Sequence, residues 1–153
     1  MIFREKRERK MIKLYKFDFS IEMERGVDIK DITGMVAKAI TKANVKDGVV
    51  HITSIGSTGS VTTIEYESGV IEDLKRIINE LAPPDRYYEH ERAWHDGNGH
   101  SHVQSALLGP SVSISIRSGK LELGTWQQIV LINHDIHPRL RKVSLTIIGT
   151  DEG

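Results

Sequence analysis

The sequence contains no cysteine, which excludes disulfides, thiolate metal sites and a thiol nucleophile. Any metal would have to be held by His, Asp, Glu or Asn. Net charge is also missing: 21 Lys and Arg balance 21 Asp and Glu, so no global field draws the chain to nucleic acid or to a membrane surface. No apolar run is long enough for a membrane span, and the amino end lacks the apolar block of a secretory signal. The basic excess is confined to residues 1–10, MIFREKRERK, expected to form a charged N-terminal arm. These absences point to a cytoplasmic globular protein with neither a nucleic-acid nor a membrane partner. The 153 residues suffice for one hydrophobic core, and residues 11–150 read as a single domain.

Periodicity supplies the elements. In MIKLYKFDFS, Tyr15, Phe17 and Phe19 alternate with Lys16 and Asp18, which predicts a strand. DIKDITGMVAKAITKA places Ile29, Ile32, Val36, Ala39, Ile40 and Ala43 on one helical face, with Asp28 at the N-cap position. VVHITSI and SVTTIEYE read as strands on either side of GSTG. A second helix is expected in GVIEDLKRIINELAPP, with Val70, Ile71, Leu74, Ile77, Ile78 and Leu81 as its buried stripe and Pro83–Pro84 as its stop. Residues 85–105 show no sustained period and are expected to be loop, with one helical turn through Val103–Leu108. SVSISIRSG, KLELGTWQQIVLIN and LRKVSLTIIGT read as three further strands. The predicted class is α+β, a largely antiparallel sheet packed on one face by two helices. Aliphatic residues on both faces of 120–132 imply burial on both sides, by helices on one and a partner subunit on the other.

The densest chemistry lies in YYEH and HDGNGHSH. His90, His95, His100 and His102 bring imidazoles, and Asp96 and Asn98 bring oxygens, a set that suits zinc, manganese or iron(II). On a helix, His100 and His102 would point apart. A solvated loop with histidines capping backbone groups is the competing reading. Gly56-Ser57-Thr58-Gly59 is either an anion cradle or a plain turn. No Walker lysine follows it, so it is not a P-loop. Glu65 is a candidate base or ligand on its strand, and Thr125 with Gln127 marks either a pocket or a subunit contact. Arg139, Arg141 and Lys142 could grip a diphosphate or sit solvated at a strand entry.

Taken together, these residues resemble the YjbQ-like family, whose members are often labelled secondary thiamine-phosphate synthase. The likeness is carried by SVSISIRSGKLELGTWQQI, where Ser111, Ile114, Ile116, Gly119 and Gly124-Thr125-Trp126-Gln127 fall at the family's spacing, and by YYEH, DGNGHSH, LLGPS and Glu65. The resemblance implies a homotrimer with a site near subunit boundaries and weak thiamine-phosphate synthase activity on phosphorylated small molecules. By position it makes Glu65, His90, Asp96 and His102 catalytic candidates. Asn98 is carried over as a candidate ligand-binding residue, which the residue-by-residue reading extends to Ser57, Thr58, Thr125, Gln127, Arg139 and Arg141, and His90, His100 and His102 become candidate ligands for a divalent ion, zinc or magnesium. One departure stands out. Many relatives carry His-Thr-Ser or His-Thr-Thr nine residues before the glutamate, where this chain has Gly56-Ser57-Thr58, as in a GST-type subgroup.

Overall fold

Alternation in the first segment turns Tyr15, Phe17 and Phe19 to one face, and in the computed structural model this segment is β1 (Lys13–Met23), half-buried at every second residue. Residues 1–5 and 10–151 are described; of the expected N-terminal arm, residues 6–9 lie outside them. The chain continues through β2 (Asp28–Asp31), α1 (Thr33–Ala43), β3 (Asp47–Ile55), β4 (Gly59–Glu65), α2 (Ser68–Leu81), α3 (Glu91–Trp94) and α4 (Gly99–Leu108). It closes with β5 (Ser111–Arg117), β6 (Lys120–Leu121), β7 (Gln127–Asn133) and β8 (Arg139–Thr150). The α+β class holds, but the strands divide between two antiparallel sheets, one ordered β1-β8-β3-β5-β6 and the other β2-β7-β4.

The main core takes residues from both sheets: Val50, Ile52, Val143, Leu145 and Ile147 from the first, Val61, Ile129 and Leu131 from the second. The apolar face of α1, with Val36, Ala39, Ile40 and Ala43, completes it. The two predicted helices therefore do not share one face. Ile71 and Leu74 of α2 pack in a separate cluster against Val130 and Ile132, the opposite side of β7 from Ile129 and Leu131 because strand side chains alternate. This accounts for the aliphatic residues on both faces of that segment within a single chain, with no partner subunit required.

Four local expectations need correction. The helix α1 begins at Thr33, and Asp28 opens β2; Asp31 Oδ1 accepts from the Thr33 N–H at 2.9 Å. The segment 120–133 is broken, because Gln127 Oε1 accepts from the Gly124 N–H at 3.0 Å and Gln127 N donates back to Gly124 O, closing a turn. Thr125 and Trp126 thus precede the strand. In α2 only Ile78 is fully buried; Ile77 and Leu81 face outward. Lastly, residues 85–105 are not all loop: α3 and α4 occupy much of the segment. The face that α4 buries carries Gly99, His100, Ser101, Gln104 and Ser105, so it has no apolar period for a sequence reading to detect.

Candidate active site

GSTG follows the end of β3 and opens β4, and these strands belong to different sheets. It is therefore a sheet-to-sheet crossing and not a hairpin turn. Gly56 adopts φ +135°, and a Cβ there would meet Arg141 Nη1 at 2.9 Å; a side chain is disfavoured by both conformation and space. The crossing loop lies against the guanidinium of Arg141, which is buried. Its Nε and Nη2 donate to Asn133 Oδ1 at 3.1 and 2.6 Å, and Nη2 also donates to Thr58 Oγ1. Thr58 in turn donates to Asp135 Oδ2 at 2.9 Å. One hydroxyl thus links a buried cation to a buried carboxylate.

Asp135 joins three segments. Its Oδ2 accepts from Thr58, from Asn98 Nδ2 at 3.2 Å and from Arg139 Nη2 at 3.0 Å, while Oδ1 accepts from the His137 N–H at 3.0 Å. Burial alone would raise its pKa. The His137, Thr58 and Asn98 hydrogen bonds and the Arg139 charge outweigh that and hold the carboxyl below the ordinary aspartate range. Burial moves Arg141 in the destabilising direction for its charge, lowering its pKa, and Asp135 opposes this.

The histidine segment forms the other wall. His90 immediately precedes α3, and His95, at φ 49°, ends that helix. Gly97 at φ 68° turns the chain into Asn98 and α4. Gly99 allows the new helix to lie against the preceding segment, since a Cβ there would meet Tyr88 Cβ at 2.5 Å. The result brings the His90 and His102 rings to a centroid separation of 4.6 Å. His90 Nε2 lies 3.2 Å from Asp96 Oδ1. Asp96 also accepts from the Asn98 N–H at 3.0 Å, and that bond, ahead of His90, lowers its pKa against a partial desolvation cost.

Ser57, Thr58, His90, Asp96, Asn98, His102, Arg139 and Arg141 all line one cleft of about 550 Å³, with Asp135, Trp94 and Leu140. Residues about eighty positions apart in sequence face the same space, and two imidazoles, two carboxylates, hydroxyls and two guanidinium groups converge there. This arrangement can bind an anion and move protons beside it.

Residues 17–150 match the family described as "UPF0047 protein YjbQ-like". The chain belongs to the YjbQ-like family. A UPF0047 protein of Archaeoglobus fulgidus is 34% identical over 126 residues, covering 82% of this chain and 95% of the relative. The crystal structure of a "YbjQ-like protein of unknown function" from Sulfolobus solfataricus P2 superposes with a TM-score of 0.86 at 33% identity, over 91% of this chain and 99% of that one. A YjbQ/UPF0047 structure from Clostridium acetobutylicum gives 0.79 at 32% identity, over 86% and 98%. These names give a family and a fold and no activity.

Four of the candidate residues lie outside the lining of the YjbQ-like cleft. Glu65 is exposed at the end of β4, opposite Gln127 in the sheet. Gln127 borders a different cleft beside α1, its Nε2 donating to Thr63 Oγ1 at 3.0 Å, and Thr125 is exposed in the turn before it. His100 is buried two residues before His102 in α4; Ser101 Oγ lies 3.4 Å from its Nε2 and Tyr88 packs nearby. The helix sends the two imidazoles in different directions, so His90, His100 and His102 do not form a ligand set. Among the described residues, no three His, Asp or Glu side chains are grouped to hold an ion. The zinc or magnesium expectation therefore finds no preassembled donors.

The sequence reading missed Asp135, Trp94 and a buried network behind the cleft. His134 Nε2 lies 2.9 Å from Ser60 Oγ, and its Nδ1 lies 3.1 Å from Gln104 Oε1. Gln104 Nε2 donates to Asn79 Oδ1 and Ala82 O, which leaves Oε1 as acceptor and His134 Nδ1 as donor. Burial first, then the neighbouring Arg141 and His100, lowers the His134 pKa to about 4. The only signal in sequence was NHDIHPRLR, where His134 and Asp135 follow a wholly apolar run.

Proposed function

We propose that the cleft binds a phosphorylated small molecule and that His90 and His102 transfer protons beside it. The supporting observation is the convergence of Arg139, Arg141, the Ser57–Thr58 loop and two imidazoles 4.6 Å apart on one concave surface. The reaction implied by the family resemblance is weak thiamine-phosphate synthase activity, a transferase side reaction. A C–N bond forms between a thiazole phosphate and a hydroxymethylpyrimidine diphosphate, the C–O bond to the diphosphate breaks, and inorganic diphosphate leaves. Arg139, half exposed and paired with Asp135 through Nη2, is the group whose remaining N–H donors would meet the oxygens on which charge develops. Arg141, held by Asn133 and Thr58, contributes a fixed positive field behind it. The protein is proposed to work in the cytoplasm as a homotrimer; Trp126, 73% exposed, is suited to burial at a subunit contact.

The test is product formation by purified protein compared with a His102→Ala variant of matched folding. Loss of about a hundredfold or more in rate is expected for a proton-transfer role. Equal trace turnover in both proteins would defeat the catalytic reading. A second reading, a trimer that binds a phosphorylated ligand without turnover, is favoured by Gly56. The φ of +135° and the Arg141 Nη1 contact disfavour a side chain at that position, where the family resemblance implies an imidazole in many relatives, so a GST-type member lacks one proton-transfer group. Ligand binding in calorimetry with no product would select this reading.

A further inference from the structure

The cleft lining is polar except for Trp94 and Leu140, which are 70% and 68% exposed. Large apolar surfaces left uncovered at a concave polar site mark a place where a ligand completes the packing. Trp94 is placed there by local geometry. It closes α3 four residues after His90, so the two rings lie on one face of the turn. They stack at an interplanar angle of 17° with centroids 6.3 Å apart. His90 in turn meets His102 at 4.6 Å, tilted at 45°, so three neighbouring rings line the cleft. His90 steadies the indole, while the high exposure leaves most of the indole surface free. A cleft of about 550 Å³ is also far larger than an inorganic anion requires.

We infer that Trp94 is a ligand-binding residue that selects for a planar ring: the ligand lays a flat heteroaromatic group on the indole while its phosphate or diphosphate lies toward Arg139. This rests on the anion-binding reading above and adds the residue that would discriminate among phosphorylated compounds. The offset stacking of a heterocycle on tryptophan is sequence-tolerant and strong enough to detect by truncation.

The experiment compares two probes by titration calorimetry: uridine 5′-diphosphate, which carries a ring, and inorganic diphosphate, which does not. Wild-type protein should bind the uridine compound about tenfold more tightly. Trp94→Ala should remove that advantage while leaving inorganic diphosphate affinity unchanged, and Trp94→Phe should keep most of it. Arg139→Ala should weaken both probes. Because Trp94 is exposed, its replacement should leave the fold intact, which circular dichroism checks. Inorganic diphosphate binding with no preference for the ring would overturn the Trp94 inference and leave the anion pocket standing. A preference that survives Trp94→Ala would also overturn it. Failure of both probes to bind wild-type protein would defeat the anion pocket and this inference together.

Discussion

Replacing Asp135 with alanine should destabilise the protein by about 3–4 kcal/mol, chiefly because two buried donors lose their acceptor. The structure allows the four hydrogen bonds at this carboxylate to be weighed separately. Arg139 is half exposed, and a water-accessible guanidinium replaces its partner at little cost. His137 is exposed, so its N–H is also re-solvated. Thr58 and Asn98 are each only 5% exposed, and leaving each unsatisfied costs roughly 1–3 kcal/mol. The assay is urea denaturation at pH 7. With an m-value of about 2 kcal/mol/M, the midpoint should fall by roughly 1.5–2 M.

The sign of the pH dependence follows from the direction of the shift. The folded carboxyl titrates below its unfolded value, so its stabilisation is complete above about pH 4 and is lost as pH falls through the folded pKa. The gap between wild type and Asp135→Ala should therefore be constant from pH 5 to 8 and narrow under stronger acid. A midpoint change equivalent to less than about 1 kcal/mol at pH 7 would refute the claim that Asp135 ties the cleft walls together.

Two other outcomes follow from the buried polar groups. The folded His134 pKa of about 4 lies below the ordinary 6.5, so the unfolded chain binds the proton first. Stability should be full at pH 7 and decline as pH falls from about 6.5 towards 4, by up to roughly 3 kcal/mol. Denaturation midpoints at pH 7 and 4.5 would measure this, and an equal decline in His134→Gln would remove His134 as its source. At Gly99, alanine would set a Cβ 2.5 Å from Tyr88 Cβ. Because α4 or Tyr88 must then shift, a loss of about 1–3 kcal/mol is expected in thermal or urea melts, together with weaker diphosphate binding. Unchanged stability and binding would show that the Tyr88 packing does not position His102.

Elements whose side chains follow a period are legible in the order of residues alone. Alternation in β1, β5 and β8 and the apolar stripe of α1 are written in residues such as Phe17, Ile114, Val143 and Ile40, because burial on one side selects apolar groups at fixed intervals. That order also marks much of the cleft, since His90, Asp96, His102, Ser57, Thr58 and Arg141 are residue types whose chemistry is visible without coordinates. Which of them meet depends on how distant segments pack. The crossing of Gly56–Gly59 between two sheets brings Thr58 to Arg141, and Asp135 fastens that loop to Asn98. Helix α4 hides its period by burying the polar residues His100, Ser101 and Gln104, of which Gln104 is tied to Asn79, Ala82 and His134 by hydrogen bonds. The same helix separates His100 from His102, while Glu65, equally plausible in sequence, ends on an exposed strand terminus. Local patterns are set by what each segment must bury; a site depends on contacts between distant segments, and those are fixed only when the sheets close on one another.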